Sequence, residues 1–159
     1  MIRGVGPDAL ELKIPPAVVV ATVALIMWRA VKAVPSVDLS LSVRAFAGAG
    51  VITLGLVIIL AGGVAFRRAH TTVNPTKPAS SSSLVVSGVY RFTRNPMYLG
   101  MLLVLVGWAA FLMNFLARSI VSLFVLYINR FQIIPEERAL SQSFGAEYIS
   151  YQAKVRRWL

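Results

Sequence analysis

The stretch PMYLGMLLVLVGWAAFLMNFLA, from Pro96 to Ala117, decides the fold class of this chain. Its 22 residues include no charged side chain, and a helix of this length, at about 1.5 Å per residue, spans a hydrocarbon core of about 30 Å. Three further apolar runs cover Pro16–Val34, Val43–Phe66 and Ser119–Ile134. The last of these is shorter and contains Arg130. We therefore predict an all-α, polytopic membrane bundle of about four transmembrane helices.

The composition agrees with a lipid environment. Of the 159 residues, 57% are hydrophobic and only 14% are charged, whereas roughly a quarter are charged in soluble domains. The net charge of +10 would suggest nucleic acid for a soluble protein, but the basic residues gather between apolar runs, which favours an anionic membrane surface and no nucleic acid partner. With no cysteine and a single histidine, a metal site, a disulfide framework and a cysteine nucleophile are not expected.

Charge asymmetry predicts the topology of a single domain, residues 1–159. Four crossings place both termini and the loop 67–95 on one side, which carries twelve of the 16 Lys and Arg residues and is therefore predicted to be cytoplasmic. Residues 1–66 would form two anchoring helices, 96–134 a helical hairpin and 135–159 a cytoplasmic tail. Because Asp8 and Glu11 precede the first run, we expect it to remain as a helix rather than to be a cleaved signal peptide. A prokaryotic inner membrane suits these features.

The second apolar run is rich in glycine. Small residues let membrane helices pack closely, but glycine is also common in membrane helices in general. The sequence leaves both interpretations open for Gly48, Gly50, Gly55, Gly62 and Gly63.

The loop before the third run ends SSSLVVSGVYRFTRNPMYLG, residues 81–100, after a serine-rich stretch typical of a flexible linker. Pro96 suits the first turn of a helix, with Asn95 as its cap. The N-terminus of that helix attracts a carboxylate or phosphate, and Arg91 and Arg94 add positive charge there. From the residues alone, arginines on lipid headgroups and tyrosines in an interfacial aromatic belt are the simpler interpretation.

The tail reads RFQIIPEERALSQSFGAEYISYQAKVRRWL, residues 130–159. Pro135, Glu136 and Glu137 indicate a helix start, because acids in a first turn are favoured by the helix dipole. The two carboxylates either have this structural role or accept hydrogen bonds from ribose hydroxyls, orient a substrate group or act as a base. The spacing of Tyr148 and Tyr151 places them on one helical face, and the basic C-terminal end predicts an amphipathic helix lying on an anionic leaflet.

Taken together, SGVYRFTRNPMYLG and, about 36 residues later, EERALSQSFGAEYISYQAKV resemble the isoprenylcysteine carboxyl methyltransferase family. These integral-membrane methyltransferases are related to the phospholipid methyltransferases. The family pattern is G-x-Y, R-H-P-x-Y-x-G, a helical hairpin, E-E and F-G-x-x-Y-x-x-Y. The similarity extends roughly from Leu84 to Val155.

The resemblance implies methyl transfer from S-adenosylmethionine to a lipophilic substrate in the bilayer, with the cofactor enclosed by the loop and tail. Glu136 falls where family members place a substrate-orienting carboxylate, and Arg130 is the second catalytic candidate. The implied cofactor-binding residues are Ser83, Leu84, Val85, Tyr90, Arg94, Asn95, Pro96, Met97, Tyr98 and Glu137.

Two departures from the family pattern leave the substrate open. Asn95 stands where many members have histidine, so a proton-shuttling histidine is not available. Gln132 stands four residues before Glu136, near where carboxyl methyltransferases carry an arginine, and Arg130 is the nearest cation. The substrate nucleophile is therefore a carboxylate, an amine or a thiol. The alternatives are a membrane reductase with a nicotinamide cofactor and a non-catalytic membrane scaffold protein.

Overall fold

A computed structural model describes residues 10–33, 37, 39–70 and 83–159, and every regular element in these ranges is helical. The α-helices are α1 (Pro16–Ala30), α2 (Leu41–Arg68), α3 (Pro96–Leu112), α4 (Phe115–Ile128) and α5 (Ile134–Lys154). A 3₁₀ turn, Gly88–Arg91, precedes α3, and a π-helical turn, Asn129–Ile133, joins α4 to α5. The predicted all-α class is confirmed. Asp8 and most of the serine-rich linker lie outside the described residues.

Two of the described helical runs are long and apolar enough to cross a membrane. They are α2, with 28 residues, and the continuous run Phe115–Lys154, with 40. The apolar helices α1 and α3 have 15 and 17 residues, fewer than their apolar runs. In α3 the reason is local: Met113 adopts a left-handed conformation with φ 49°, and the Asn114 side chain then caps α4 by accepting the Ala117 N–H at 3.0 Å.

The contact between α2 and α3 is a seam of glycines. A Cβ atom on Gly55 would lie 2.5 Å from the Gly100 carbonyl oxygen, and one on Gly100 would lie 2.5 Å from that of Gly55. Farther along, a Cβ on Gly62 would lie 2.8 Å from Met97 Cγ. Close packing is thus confirmed at Gly48, Gly55 and Gly62, whereas a Cβ on Gly50 or Gly63 would have no described atom within 4 Å. Glycine sets how near α3 lies to α2.

The largest buried cluster joins α1, α3 and α4. Met27, Leu105, Phe124 and Ile128 are fully buried in it. The Trp108 indole N–H donates to the Ala24 carbonyl at 3.1 Å, which ties α3 to α1. Helix α3 therefore contacts α1, α2 and α4, so its position is fixed from three sides.

The helical run continues from α4 into α5, and α5 begins around Pro135, as the sequence predicted for the tail. Pro135 lies in the first turn of α5, directly after the π-helical turn. Proline has no N–H to donate to the carbonyl of Phe131, four residues earlier, and such a gap is a common cause of a kink. Farther on, Gly145 leaves helical geometry with φ 50° and ψ −123°, so α5 has a kink before its last turns.

Candidate functional site

The segment before α3 packs on the C-terminal end of α2, the end that is predicted to face the cytoplasm. Val85 and Tyr90 are buried against Ala65, and the Tyr90 ring meets Phe66 edge to face with centroids 5.4 Å apart. The Ser83 hydroxyl donates to the carbonyl of Ala69 at 3.1 Å. Ser83, Val85 and Tyr90 of the predicted cofactor site are therefore held against the end of α2.

Tyr98 and Glu136 connect α3 to α5. The buried Tyr98 hydroxyl donates to Oε1 of Glu136 at 2.5 Å. Glu136 lies in the helical run Phe115–Lys154 but after its apolar part, the predicted span Ser119–Ile134. Burial raises the pKa of Glu136 to about 8; the Tyr98 hydrogen bond lowers it and the Glu137 charge raises it. This carboxyl group can accept or donate a proton near neutral pH.

Glu137 lies between two arginines. Arg157 binds it with two hydrogen bonds, Nε to Oε1 at 3.1 Å and Nη2 to Oε2 at 2.6 Å, the bidentate arrangement of a strong pair. Arg94 Nη2 lies 3.3 Å from Oε1, and the Arg94 and Glu137 side chains are each 13% exposed. We call Tyr98, Glu136, Glu137, Arg94 and Arg157 the polar cluster. Nε of Arg94 is buried without a hydrogen-bond partner in the described structure.

The last residues of the chain form a strap, Val155–Leu159, rather than the predicted amphipathic surface helix. Helix α5 ends at Lys154, and Val155 is extended. The strap lies along the loop: the Arg94 N–H donates to the Arg156 carbonyl at 2.9 Å, and the Thr93 hydroxyl donates to that of Arg157 at 3.1 Å. Of the helix predicted over Phe144–Leu159, the structure has the part that ends at Lys154; the prediction was wrong for the last five residues, whose backbone has loop groups as partners instead.

Asn95 occupies the N-cap position of α3 as predicted, but its side chain does not cap the helix. Its Nδ2 donates to the Arg157 carbonyl at 2.9 Å instead. Pro96 is buried in the first turn, and Met97 rests against Gly62 of α2. The side-chain amide of Asn95 therefore holds the strap. This role needs a hydrogen-bond donor but no charge.

The two arginines predicted near the helix start have different environments. Arg94 belongs to the polar cluster, whereas Arg91 is exposed. Tyr148 and Tyr151 are buried on one face as predicted, with ring centroids 6.2 Å apart. The Tyr151 hydroxyl donates to the carbonyl of Tyr90 at 2.7 Å, so α5 also fixes the 3₁₀ turn.

Arg130, the second predicted catalytic residue, forms an ion pair with Glu11. Gln132 is fully buried, and its Nε2 donates to the carbonyl of Ile14 at 2.7 Å. Sequence reasoning missed Glu11, which is separated from Arg130 by 119 positions, and it missed Arg157 as a partner of Glu137. No local pattern marks either pair, because in each one a residue near one end of the sequence folds back onto a distant segment.

A groove of about 450 Å³ opens beside the polar cluster. It lies between the first turns of α5 and the chain after Gly145, and it presents hydroxyl, amide, carboxylate and guanidinium groups. Its lining residues are Ile134, Glu137, Arg138, Ser141, Gln142, Gln152 and Arg157. In a groove of this kind, a few polar groups fix the orientation of a ligand.

Comparison with known families gives one match of more than half the chain. The model of the family described as phospholipid methyltransferase matches residues 43–147. This range contains α3, α4, most of α2 and both carboxylates of the polar cluster. No solved structure matches the chain significantly.

The curated relatives include named methyltransferases and an uncharacterized protein. An uncharacterized protein of Haemophilus influenzae is 52% identical over 63 residues, 40% of this chain and 100% of that protein. The protein-S-isoprenylcysteine O-methyltransferase of Saccharomyces cerevisiae is 39% identical over 83 residues, 50% of this chain and 34% of the yeast protein. A probable protein-S-isoprenylcysteine O-methyltransferase of Oryza sativa subsp. indica is 32% identical over 114 residues, 72% of this chain and 60% of the rice protein. The chain thus spans about a third of the yeast methyltransferase and less than two thirds of the rice protein.

Proposed function

The chain belongs to the phospholipid methyltransferase family, and from this premise we propose an integral-membrane enzyme that transfers a methyl group from S-adenosylmethionine to a lipophilic substrate. The observation that carries the proposal is the polar cluster. It joins the start of α3 to the first turn of α5, next to long apolar helices. A polar site at the end of apolar helices suits a reaction between a water-soluble cofactor and a bilayer-borne substrate.

The proposed topology has four crossings, with α3 and α4 forming a hairpin and both termini in the cytoplasm. The two-residue connection between α3 and α4 supports the hairpin. The charge asymmetry of the sequence supports the orientation. In this arrangement the polar cluster faces the cytoplasm of a prokaryotic cell, where the cofactor is available.

The polar cluster fits the groups of S-adenosylmethionine, which carries a carboxylate, an ammonium group and ribose hydroxyls. The unpartnered Nε of Arg94 is a buried donor suited to the carboxylate. Glu137, on the edge of the groove, can accept hydrogen bonds from ribose hydroxyls. We propose that the other cofactor contacts come from Ser83, Leu84, Val85, Tyr90, Asn95, Pro96, Met97 and Tyr98.

When bound, S-adenosylmethionine supplies a methyl group activated on a sulfonium. The protein's own task is to orient the acceptor and exclude water. We assign Glu136 to the acceptor: its ionised form takes a proton from an amine or thiol, and its protonated form donates a hydrogen bond to a carboxylate. The ion pair with Glu11 favours a positioning role for Arg130.

Calorimetry with S-adenosylhomocysteine tests the proposal. The detergent-purified protein should bind this reaction product, and Tyr98→Ala and Glu137→Ala should bind it at least about tenfold more weakly. Glu147→Ala, which removes a carboxylate of α5 outside the polar cluster, is the matched control and should bind normally. A wild-type protein that is folded by circular dichroism yet gives no heat would contradict the proposal. Heat with NADPH in its place would favour a reductase.

A further inference from the structure

The N-terminal arm, Leu10–Ile14, lies across the junction between α4 and α5. Pro135 cannot donate to the Phe131 carbonyl, and that carbonyl accepts the N–H of Leu12 at 3.0 Å. Gln132, in the same π-helical turn, donates to the carbonyl of Ile14. The arm thus supplies a backbone donor to a helix carbonyl that Pro135 cannot serve, and a backbone acceptor for the buried side chain of Gln132.

Glu11 connects the two sides of the junction. Its carboxylate pairs with Arg130 before Pro135, and both of its oxygens lie 2.8 Å from Nη2 of Arg138 beyond it. The Glu11 side chain is only 14% exposed, although that of Arg138 is 56% exposed. One carboxylate therefore holds two helical segments whose relative angle the proline leaves less constrained.

The angle at this junction places the first turn of α5, which carries Glu136 and Glu137. Glu137 has its own anchors in Arg94 and Arg157. The described hydrogen bond of the Glu136 side chain is the one from Tyr98, so the position of Glu136 depends more strongly on the helix that carries it.

We propose that the N-terminal arm is a splint across the Pro135 junction and that Glu11 is a positioning residue for Glu136, acting through α5. The arm precedes residue 43, where the family match begins. The catalytic meaning of this role rests on the proposed function, whereas the splint itself does not.

Hydrogen–deuterium exchange of the full-length protein in detergent tests the splint. In Glu11→Gln, amides of residues 136–140 should exchange about tenfold faster than in the wild type, because the junction opens more often. Glu147→Gln removes a carboxylate of the same helix that lies far from the junction and should leave these rates unchanged. If Glu11→Gln does not fold, Arg138→Gln removes one of the two arginine partners of Glu11. In that variant the same amides should also exchange faster than in the wild type, by a smaller factor.

A pH profile separates positioning from a general loss of stability. With the splint released, Glu136 becomes more hydrated, so the fall in melting temperature between pH 5 and pH 9 should be smaller in Glu11→Gln than in the wild type. Affinity for S-adenosylhomocysteine should stay within about twofold, because Glu137 keeps its arginines. Glu11→Gln behaving like Glu147→Gln in both exchange and pH profile would overturn the splint. Faster exchange in a protein that never binds S-adenosylhomocysteine would retain the splint and contradict the proposed function.

Discussion

The Tyr98 hydroxyl lies 2.5 Å from Oε1 of Glu136 and joins two helices across 38 sequence positions. One partner stands in the first turn of α3, which the glycine seam fixes against α2. The other follows Pro135, at a junction held by the N-terminal arm. The hydrogen bond therefore depends on both helices being in place, and it is a sensitive probe of the candidate site.

Stability should depend on pH through Glu136. Burial raises the pKa of this carboxyl from 4.5 to about 8, so the folded protein holds the proton more tightly than the unfolded chain does. Its effect on the free energy of unfolding is absent below about pH 4.5, grows more unfavourable as the pH rises toward 8, and then levels off. Glu136→Gln lacks this loss, so it should melt near the wild-type temperature at pH 5 and above it at pH 9. If the melting temperatures of the two proteins changed equally between pH 5 and pH 9, the prediction would be contradicted.

Removing the Tyr98 hydroxyl should cost stability. Tyr98→Phe leaves Glu136 without its described hydrogen bond, a change that typically costs about 1–3 kcal/mol for a buried polar group. Tyr127→Phe is the matched control, because the Tyr127 hydroxyl is buried without a described partner and its loss should be nearly neutral. Thermal unfolding at pH 7 measures both. Equal melting temperatures for the two variants would show that the Tyr98 hydrogen bond is not stabilising.

The sequence predicted the helical class and the residues of the first turns well, because these follow from local rules. Apolar run length indicated the helices, and Pro96 and Pro135 marked the first turns of α3 and α5. The helix lengths were less predictable. Met113 and Asn114 end one helix and begin the next inside an apolar run, where periodicity alone shows no boundary.

The partners of the site residues required tertiary structure. The glutamate pair was recognisable from its motif, but the arginines that hold Glu137 come from a loop and from the end of the chain. The strap was missed because its basic residues suggested a surface helix, whereas the backbone carbonyl of Arg157 accepts from Thr93 and Asn95. Such contacts between distant segments leave no periodic signal in one sequence.

Arg157 should anchor the strap. Arg157→Gln removes the bidentate contact with Glu137, and because the Arg157 side chain is 37% exposed we expect a loss of only about 1 kcal/mol. The local effect should be larger: the Arg94 amide, which donates to the Arg156 carbonyl, should exchange faster with solvent. Arg156→Gln changes an exposed neighbour with the same charge and should leave the rate unchanged. Exchange at Arg94 that is the same in both variants would indicate that backbone contacts alone hold the strap.

The glycine seam should be intolerant of one added methyl group. In Gly100→Ala the new Cβ would lie 2.5 Å from the Gly55 carbonyl oxygen and 2.6 Å from Ile59 Cγ1, so α3 must move away from α2. We expect a loss of about 1–3 kcal/mol, the usual cost of overpacking, together with weaker binding of S-adenosylhomocysteine, since α3 carries Tyr98. Gly63→Ala places its Cβ in open space and should be neutral or slightly stabilising, because alanine favours helix by up to about 1 kcal/mol over glycine. Thermal unfolding and calorimetry of the two variants measure these effects, and a Gly100→Ala protein as stable as Gly63→Ala would mean that the helices are not in backbone contact at this point.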